Sequence, residues 1–151
     1  EAASKAHGLD ATLVRAVCMV ESSGKTHAYR FEPAFWKRYL VDNPAYKNGI
    51  PERVSASYGL MQIMYPVACE HGFAASDPEL LFVPQVGLDY GCRKLAQTLK
   101  WSKGDVPAAL AAYNGGMTKD NARGIVPKRN QAYVDKVRAA LVAAGSQPAW
   151  R

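Results

Sequence analysis

Apolar residues recur at helical spacing along most of the chain. Leu13, Val14, Val17 and Cys18 share one face of a helix that opens near Ala11, with Asp10 as its N-cap, and Glu21 falls on that same face. Ser22-Ser23-Gly24 closes it. Pro33 opens a second helical pattern, Ala34 to about Val41, with Phe35, Trp36, Tyr39 and Leu40. Residues 42–58 are rich in Asn, Pro, Gly and Ser and read as irregular, with room for a short hairpin. Leu60 to Met64 reads as helical. Pro66 starts further turns that stop at Gly72, and Asp77-Pro78-Glu79 is another helix start. The clearest helix runs from Pro84 to Trp101, where Leu88, Cys92, Leu95 and Leu99 form one stripe. Asp105-Val106-Pro107 opens a helix over Ala108–Tyr113 that Asn114-Gly115-Gly116 breaks, with a left-handed terminus expected at Asn114-Gly115. A last helix covers Gln131–Ala144, with Tyr133, Val134, Val137 and Leu141 inward and Gly145 as its stop. Alternating strand patterns are nearly absent. The expected class is all-α, with an irregular insertion over residues 29–54.

The 151 residues fit one domain spanning 1–151, large enough to bury a core without staples. Hydrophobic residues make up 48% and charged residues 21%, the balance of a globular chain rather than a disordered one. No apolar run is long enough for a transmembrane segment. The opening Glu1-Ala2-Ala3-Ser4-Lys5 has no signal-peptide core, which leaves three readings: a removed signal, a domain cut from a longer chain, or another export route. Nineteen basic residues against 13 acidic ones give +6, which suits an anionic partner or simple solubility. No nucleic-acid motif has its expected spacing, so no nucleic-acid partner is expected. Cys18, Cys69 and Cys92 are too few for a disulfide scaffold. The one tight group, Cys69-Glu70-His71, lacks a second ligand pair, so neither metal nor cofactor is expected. A monomer is the default.

Three segments could carry chemistry. Glu21 lies on an apolar stripe, where a carboxylate needs a partner or a task. Burial there would raise its pKa and suit a general acid; a structural ion pair is the competing reading. Ser57-Tyr58-Gly59-Leu60-Met61-Gln62-Ile63 combines a glycine, which lets backbone approach a ligand, with a polar Gln62; taken by itself the segment favours plain core, with Leu60, Met61 and Ile63 packed and Gln62 pointing to solvent. Ala112-Tyr113-Asn114-Gly115-Gly116 puts a tyrosine hydroxyl at a helix end, or is merely a helix stop.

Together, and in this order, Glu21-Ser22-Ser23-Gly24, Gly59-Leu60-Met61-Gln62-Ile63 and Ala112-Tyr113-Asn114-Gly115-Gly116 resemble the soluble lytic transglycosylases of the lysozyme-like superfamily. Tyr133-Val134 resembles the family's late tyrosine. The resemblance spans about Ala6 to Ala144 and implies a goose-type-lysozyme-like helical fold acting on peptidoglycan glycan strands. It implies cleavage of the β-1,4 bond between N-acetylmuramic acid and N-acetylglucosamine without water, leaving 1,6-anhydro ends. Glu21 then matches the catalytic glutamate. Gly59, Met61 and Gln62 match the groove lining, and Tyr113 and Asn114 the family's Ala-Tyr-Asn motif, whose tyrosine lies near the acid. Tyr133 matches less tightly.

The chain departs from the family in the length between Glu21 and Gly59. Ser57 is therefore the candidate for the N-acetyl contact that a shorter loop supplies elsewhere. The string Arg30-Phe31-Glu32-Pro33 resembles segments of phage and bacterial muramidases. Two alternatives stay open: a hydrolysing muramidase whose second carboxylate comes from Glu32, Asp42 or Glu52 of the inserted segment, Glu32 first among them, and a wall-binding module with a dead site. The implied location is the periplasm, the cell envelope, the exterior, or a phage particle.

Overall fold

The computed structural model describes residues 1–150. In chain order the elements are α1 (Ala2–Ala6), α2 (Ala11–Ser22), β1 (Tyr29–Phe31), α3 (Pro33–Phe35), a π turn (Trp36–Leu40), α4 (Pro51–Val54), β2 (Ala56–Tyr58), β3 (Ile63–Met64), α5 (Tyr65–Glu70), a 3-10 turn (Pro78–Phe82), α6 (Pro84–Trp101), α7 (Val106–Gly115), α8 (Lys119–Ala122), a 3-10 turn (Lys128–Asn130) and α9 (Gln131–Ala143). The chain is mostly helical, as its periodicity predicts. It divides into two compact units, one of residues 1–20 with 92–151 and one of residues 21–91, and passes between them inside α2 and inside α6. The first unit carries thirteen basic and five acidic side chains, the second six and eight, so the excess positive charge belongs to the first.

In the first unit, α8, α9 and the Lys128–Asn130 turn pack on α7. Alanines make that possible: Ala108, Ala109, Ala111 and Ala112 are buried around Leu110 and bring neighbouring backbones close. Val134, Val137 and Leu141 of α9 are buried at the predicted positions. Asp105 caps α7 by accepting from the Ala108 N–H at 3.0 Å, and Asp10 accepts from the Thr12 N–H at 2.8 Å at the start of α2. Beyond α9, Gly145 takes φ +85° and the Ser146 N–H reaches back to the Leu141 carbonyl, a left-handed stop. After α7, Asn121 is fully buried. Its amide donates to the Gly116 carbonyl at 3.1 Å, and its oxygen accepts from the Trp101 indole N–H at 2.8 Å and the Thr118 N–H at 2.8 Å.

The second unit holds a three-stranded antiparallel sheet, order β1-β2-β3, with Tyr29 opposite Tyr58 and Tyr58 opposite Ile63. This corrects two expectations. Residues 60–64 are not helical: Gly59 (φ +75°) and Gln62 (φ +49°) turn the chain, and Ile63–Met64 pair with β2. A five-residue apolar run is too short for its periodicity to separate helix from strand. The hairpin is β2–β3, so only its first strand falls within residues 42–58 and its second lies beyond them, while the start of the 29–54 insertion supplies β1 and α4 forms at its end. Ala56, Tyr58, Ile63, Ala68, Phe73 and Leu81 make the apolar cluster under the sheet. Half-buried Tyr46 ties the insertion to α5, edge-on to Tyr65 at 6.2 Å; burial and the Cys69 thiol push its phenol up to about 12.

The end of the insertion is also fixed by charge. Arg53 of α4 forks onto Glu79 with two 2.7 Å hydrogen bonds and reaches Asp77 at 3.4 Å. The guanidinium holds the Glu79 carboxyl below its ordinary range. A lowered carboxyl stabilises the fold fully above its unfolded pKa and loses that contribution as pH falls through the folded value. Wild type is therefore expected to melt above Glu79→Gln at neutral pH, with the gap closing in acid below the usual carboxylate range. Thermal melts of both proteins across that pH series check it. Because the pair is exposed, the gap should be small.

Candidate active site

Glu21 sits in the last turn of α2, half-buried, on the face of buried Val17 and Cys18. The helix ends one residue later because Ser23 and Gly24 take φ +54° and +75°. The Ser22 hydroxyl donates to the Leu60 carbonyl at 2.8 Å. The residue after Glu21 is thus bonded into the turn that carries Gly59, Met61 and Gln62, and two of the three sequence segments come together inside one unit.

That turn is rigid. Gln62 is not a solvent-facing side chain: its amide donates to the Ala28 and Gly59 carbonyls, both at 3.0 Å. Met61 is fully buried, and α6 passes it at Gly91, where a Cβ would stand 2.6 Å from the Met61 Cβ. Gly59 donates its N–H to the Ala28 carbonyl, and the Leu81 carbonyl lies 2.7 Å from where its Cβ would be. Ser57 occupies the central strand, 7% exposed, between Arg30 and Met64. Strand alternation points it away from the face of Ala56 and Tyr58, which belong to the apolar cluster.

Glu32 precedes α3 with its side chain 3.2 Å from Arg30, and its backbone exchanges hydrogen bonds with Ser55 at 2.8 and 2.7 Å. Its carboxylate is already paired with a cation.

In the other unit, Tyr113 is 2% exposed in the last turn of α7. Asn114 is exposed, and its side-chain oxygen accepts from the buried Asn130 amide at 3.0 Å. Asn130 also lies over Gly115, where a Cβ would meet its amide nitrogen at 2.4 Å. The helix consequently continues through Gly115, and the reversal comes at Gly116 (φ +96°), one residue beyond the predicted terminus. Tyr133 is buried at the start of α9. Lys94 of α6 donates to the Tyr113 carbonyl at 2.8 Å.

Sequence reasoning missed Ser22, Lys94 and Asn130. Ser22 adjoins Glu21 and was readable as part of its motif. Lys94 and Asn130 lie 19 and 16 positions from their partners, so no local pattern marks them. Among the described residues no group of three or more His, Cys, Asp or Glu side chains is placed to hold a metal ion. No helix among them is long and apolar enough to cross a membrane.

The model of the transglycosylase SLT domain family matches residues 1–134. No curated protein matches the chain. Among solved structures it is similar to the lytic transglycosylase Slt from Pseudomonas aeruginosa, in an inactive mutant with glutamine for glutamate, at 22% identity and a TM-score of 0.66. That likeness covers 97% of this chain and 24% of the Slt chain, so this chain spans about a quarter of that protein's length. At such identity the likeness concerns the fold. The family match covers all three sequence segments and most of the chain: the chain belongs to the transglycosylase SLT domain family.

Proposed function

We propose that the chain is a peptidoglycan lytic transglycosylase that cleaves the N-acetylmuramic acid–β-1,4–N-acetylglucosamine bond without water. Family membership supports a transglycosylase-type activity on the cell wall, and so a periplasmic or extracellular site of action. The observation that carries the finer reading is the Ser22–Leu60 hydrogen bond, which ties the end of α2, and with it Glu21, to the Gly59–Gln62 turn. The inactive mutant of the Pseudomonas protein has glutamine in place of a glutamate, which is in keeping with a catalytic role for Glu21.

In this reading Glu21 first protonates the departing glycosidic oxygen. It then takes the proton from the C6 hydroxyl of N-acetylmuramic acid as that oxygen attacks C1. The bond from C1 to the leaving oxygen breaks, the bond from C1 to O6 forms, and Glu21 regains the proton it gave. No water enters. Ser57, Gly59, Met61, Gln62, Tyr113, Asn114 and Tyr133 are the residues proposed to line the glycan path. Glu32, the candidate second carboxylate of a hydrolase, has one oxygen 3.2 Å from the exposed Arg30 guanidinium, and the product ends decide between the two routes.

Mass spectrometry of the muropeptides released from purified sacculi tests this. Anhydro ends, lighter by one water than reducing ends, are expected throughout. Reducing ends would make the chain a hydrolase, and no release would leave a binding module.

A further inference from the structure

We propose that Lys94 is a positioning residue for Tyr113, acting through its charge on the tyrosine ring. The inference rests on the reading above, in which Tyr113 belongs to the substrate site. Two distances carry it. The Lys94 ammonium donates to the Tyr113 carbonyl at 2.8 Å, and the same nitrogen stands 4.0 Å from the centroid of the Tyr113 ring.

The first contact alone is a helix cap. α7 ends at Gly115, so the Tyr113 carbonyl is among those left without a partner inside the helix. A cation there also answers the negative end of the helix dipole. Any donor of suitable length would serve that role, charged or neutral.

The second contact does what a neutral cap cannot. A cation against the ring face is held by the quadrupole of the ring. It draws electron density from the phenol and favours partial negative charge on the hydroxyl oxygen, so the O–H becomes a stronger donor. Burial heightens this: the tyrosine is 2% exposed and the lysine half-buried, so water screens the pair poorly. The same nitrogen fixes carbonyl and ring together, which sets the direction in which the hydroxyl projects.

Three variants separate the cap from the charge. Lys94→Gln keeps a donor for the carbonyl and removes the cation. Lys94→Arg keeps both. Lys94→Met removes both. On sacculi, Lys94→Gln is expected to lower kcat about tenfold with KM unchanged, and Lys94→Arg to recover most of the loss. In a Tyr113→Phe background, Lys94→Gln should change kcat no further. A purely structural lysine predicts instead that Gln and Arg behave alike and that only Lys94→Met loses melting temperature and activity together; that result would overturn the inference.

A spectroscopic arm stands apart from turnover. The near-ultraviolet absorption of wild type minus Tyr113→Phe isolates the band of Tyr113. The corresponding difference in the Lys94→Gln background should be displaced. Superimposable bands would overturn the inference even in a fully active enzyme. A displaced band in a chain that releases no muropeptides would instead uphold the contact and sink the proposed activity.

Discussion

Glu21→Gln is expected to melt with the wild type, bind sacculi as well, and release almost no muropeptides. The carboxamide has the shape of the carboxyl group, so the half-buried end of α2 and the Ser22–Leu60 bond should persist. What disappears is the proton that the leaving oxygen needs and the base that the C6 hydroxyl needs. General acid–base catalysis contributes typically 10²–10⁴-fold, and here one group supplies both halves, so a loss of roughly a hundredfold or more is expected. Residual turnover above about a tenth of wild type would correspond to only ~1.4 kcal/mol of barrier and would remove Glu21 from the mechanism. Initial rates of turbidity loss, with melting curves for each protein, make the measurement.

The largest expected effect on stability is that of Gly59→Ala. At φ +75° an alanine pays for the left-handed conformation, about 1–2 kcal/mol. Its methyl would also stand 2.7 Å from the Leu81 carbonyl oxygen, a backbone atom that cannot swing aside. Forced overpacking adds about 1–3 kcal/mol. A total of about 2–5 kcal/mol corresponds to a fall in melting temperature of very roughly 5–15 °C for a chain of this length. A variant that melts within a degree or two of wild type would show that the Gly59 turn yields readily. Calorimetry of the purified variant decides.

Gly59 also shows what the sequence could and could not disclose. Its presence in a polar–apolar segment was legible, and so was a backbone requiring glycine. The neighbour that requires it was not: the Leu81 carbonyl is 22 positions away and carries no side-chain signature. The long periodic helices were legible because each buries one face over several turns; Pro84–Trp101 and Gln131–Ala143 sit where their stripes put them. The short strands were not, since each is two or three residues and is fixed by its partners across the sheet. α8 was hidden for the same reason: its four residues depend on the three hydrogen bonds of the buried Asn121 side chain, not on an apolar face. At the candidate site, the motif residues were visible in the chain. Of the side chains that brace them, Ser22 lies within the Glu21 motif, whereas Lys94 and Asn130 become visible only in three dimensions.

The indole of Trp101 ends in this same knot, its N–H shared between the Asn121 side chain at 2.8 Å and the Thr118 carbonyl at 2.9 Å. The protein therefore contains its own optical probe of the loop that follows Tyr113 and Asn114. With Trp36 and Trp150 replaced by phenylalanine, Trp101 is the one remaining tryptophan, and excitation at the red edge of its band, beyond tyrosine absorption, isolates its emission. Releasing residues 116–121 frees the indole N–H to water and moves its emission to longer wavelength, so the order of this loop can be followed in real time without a label.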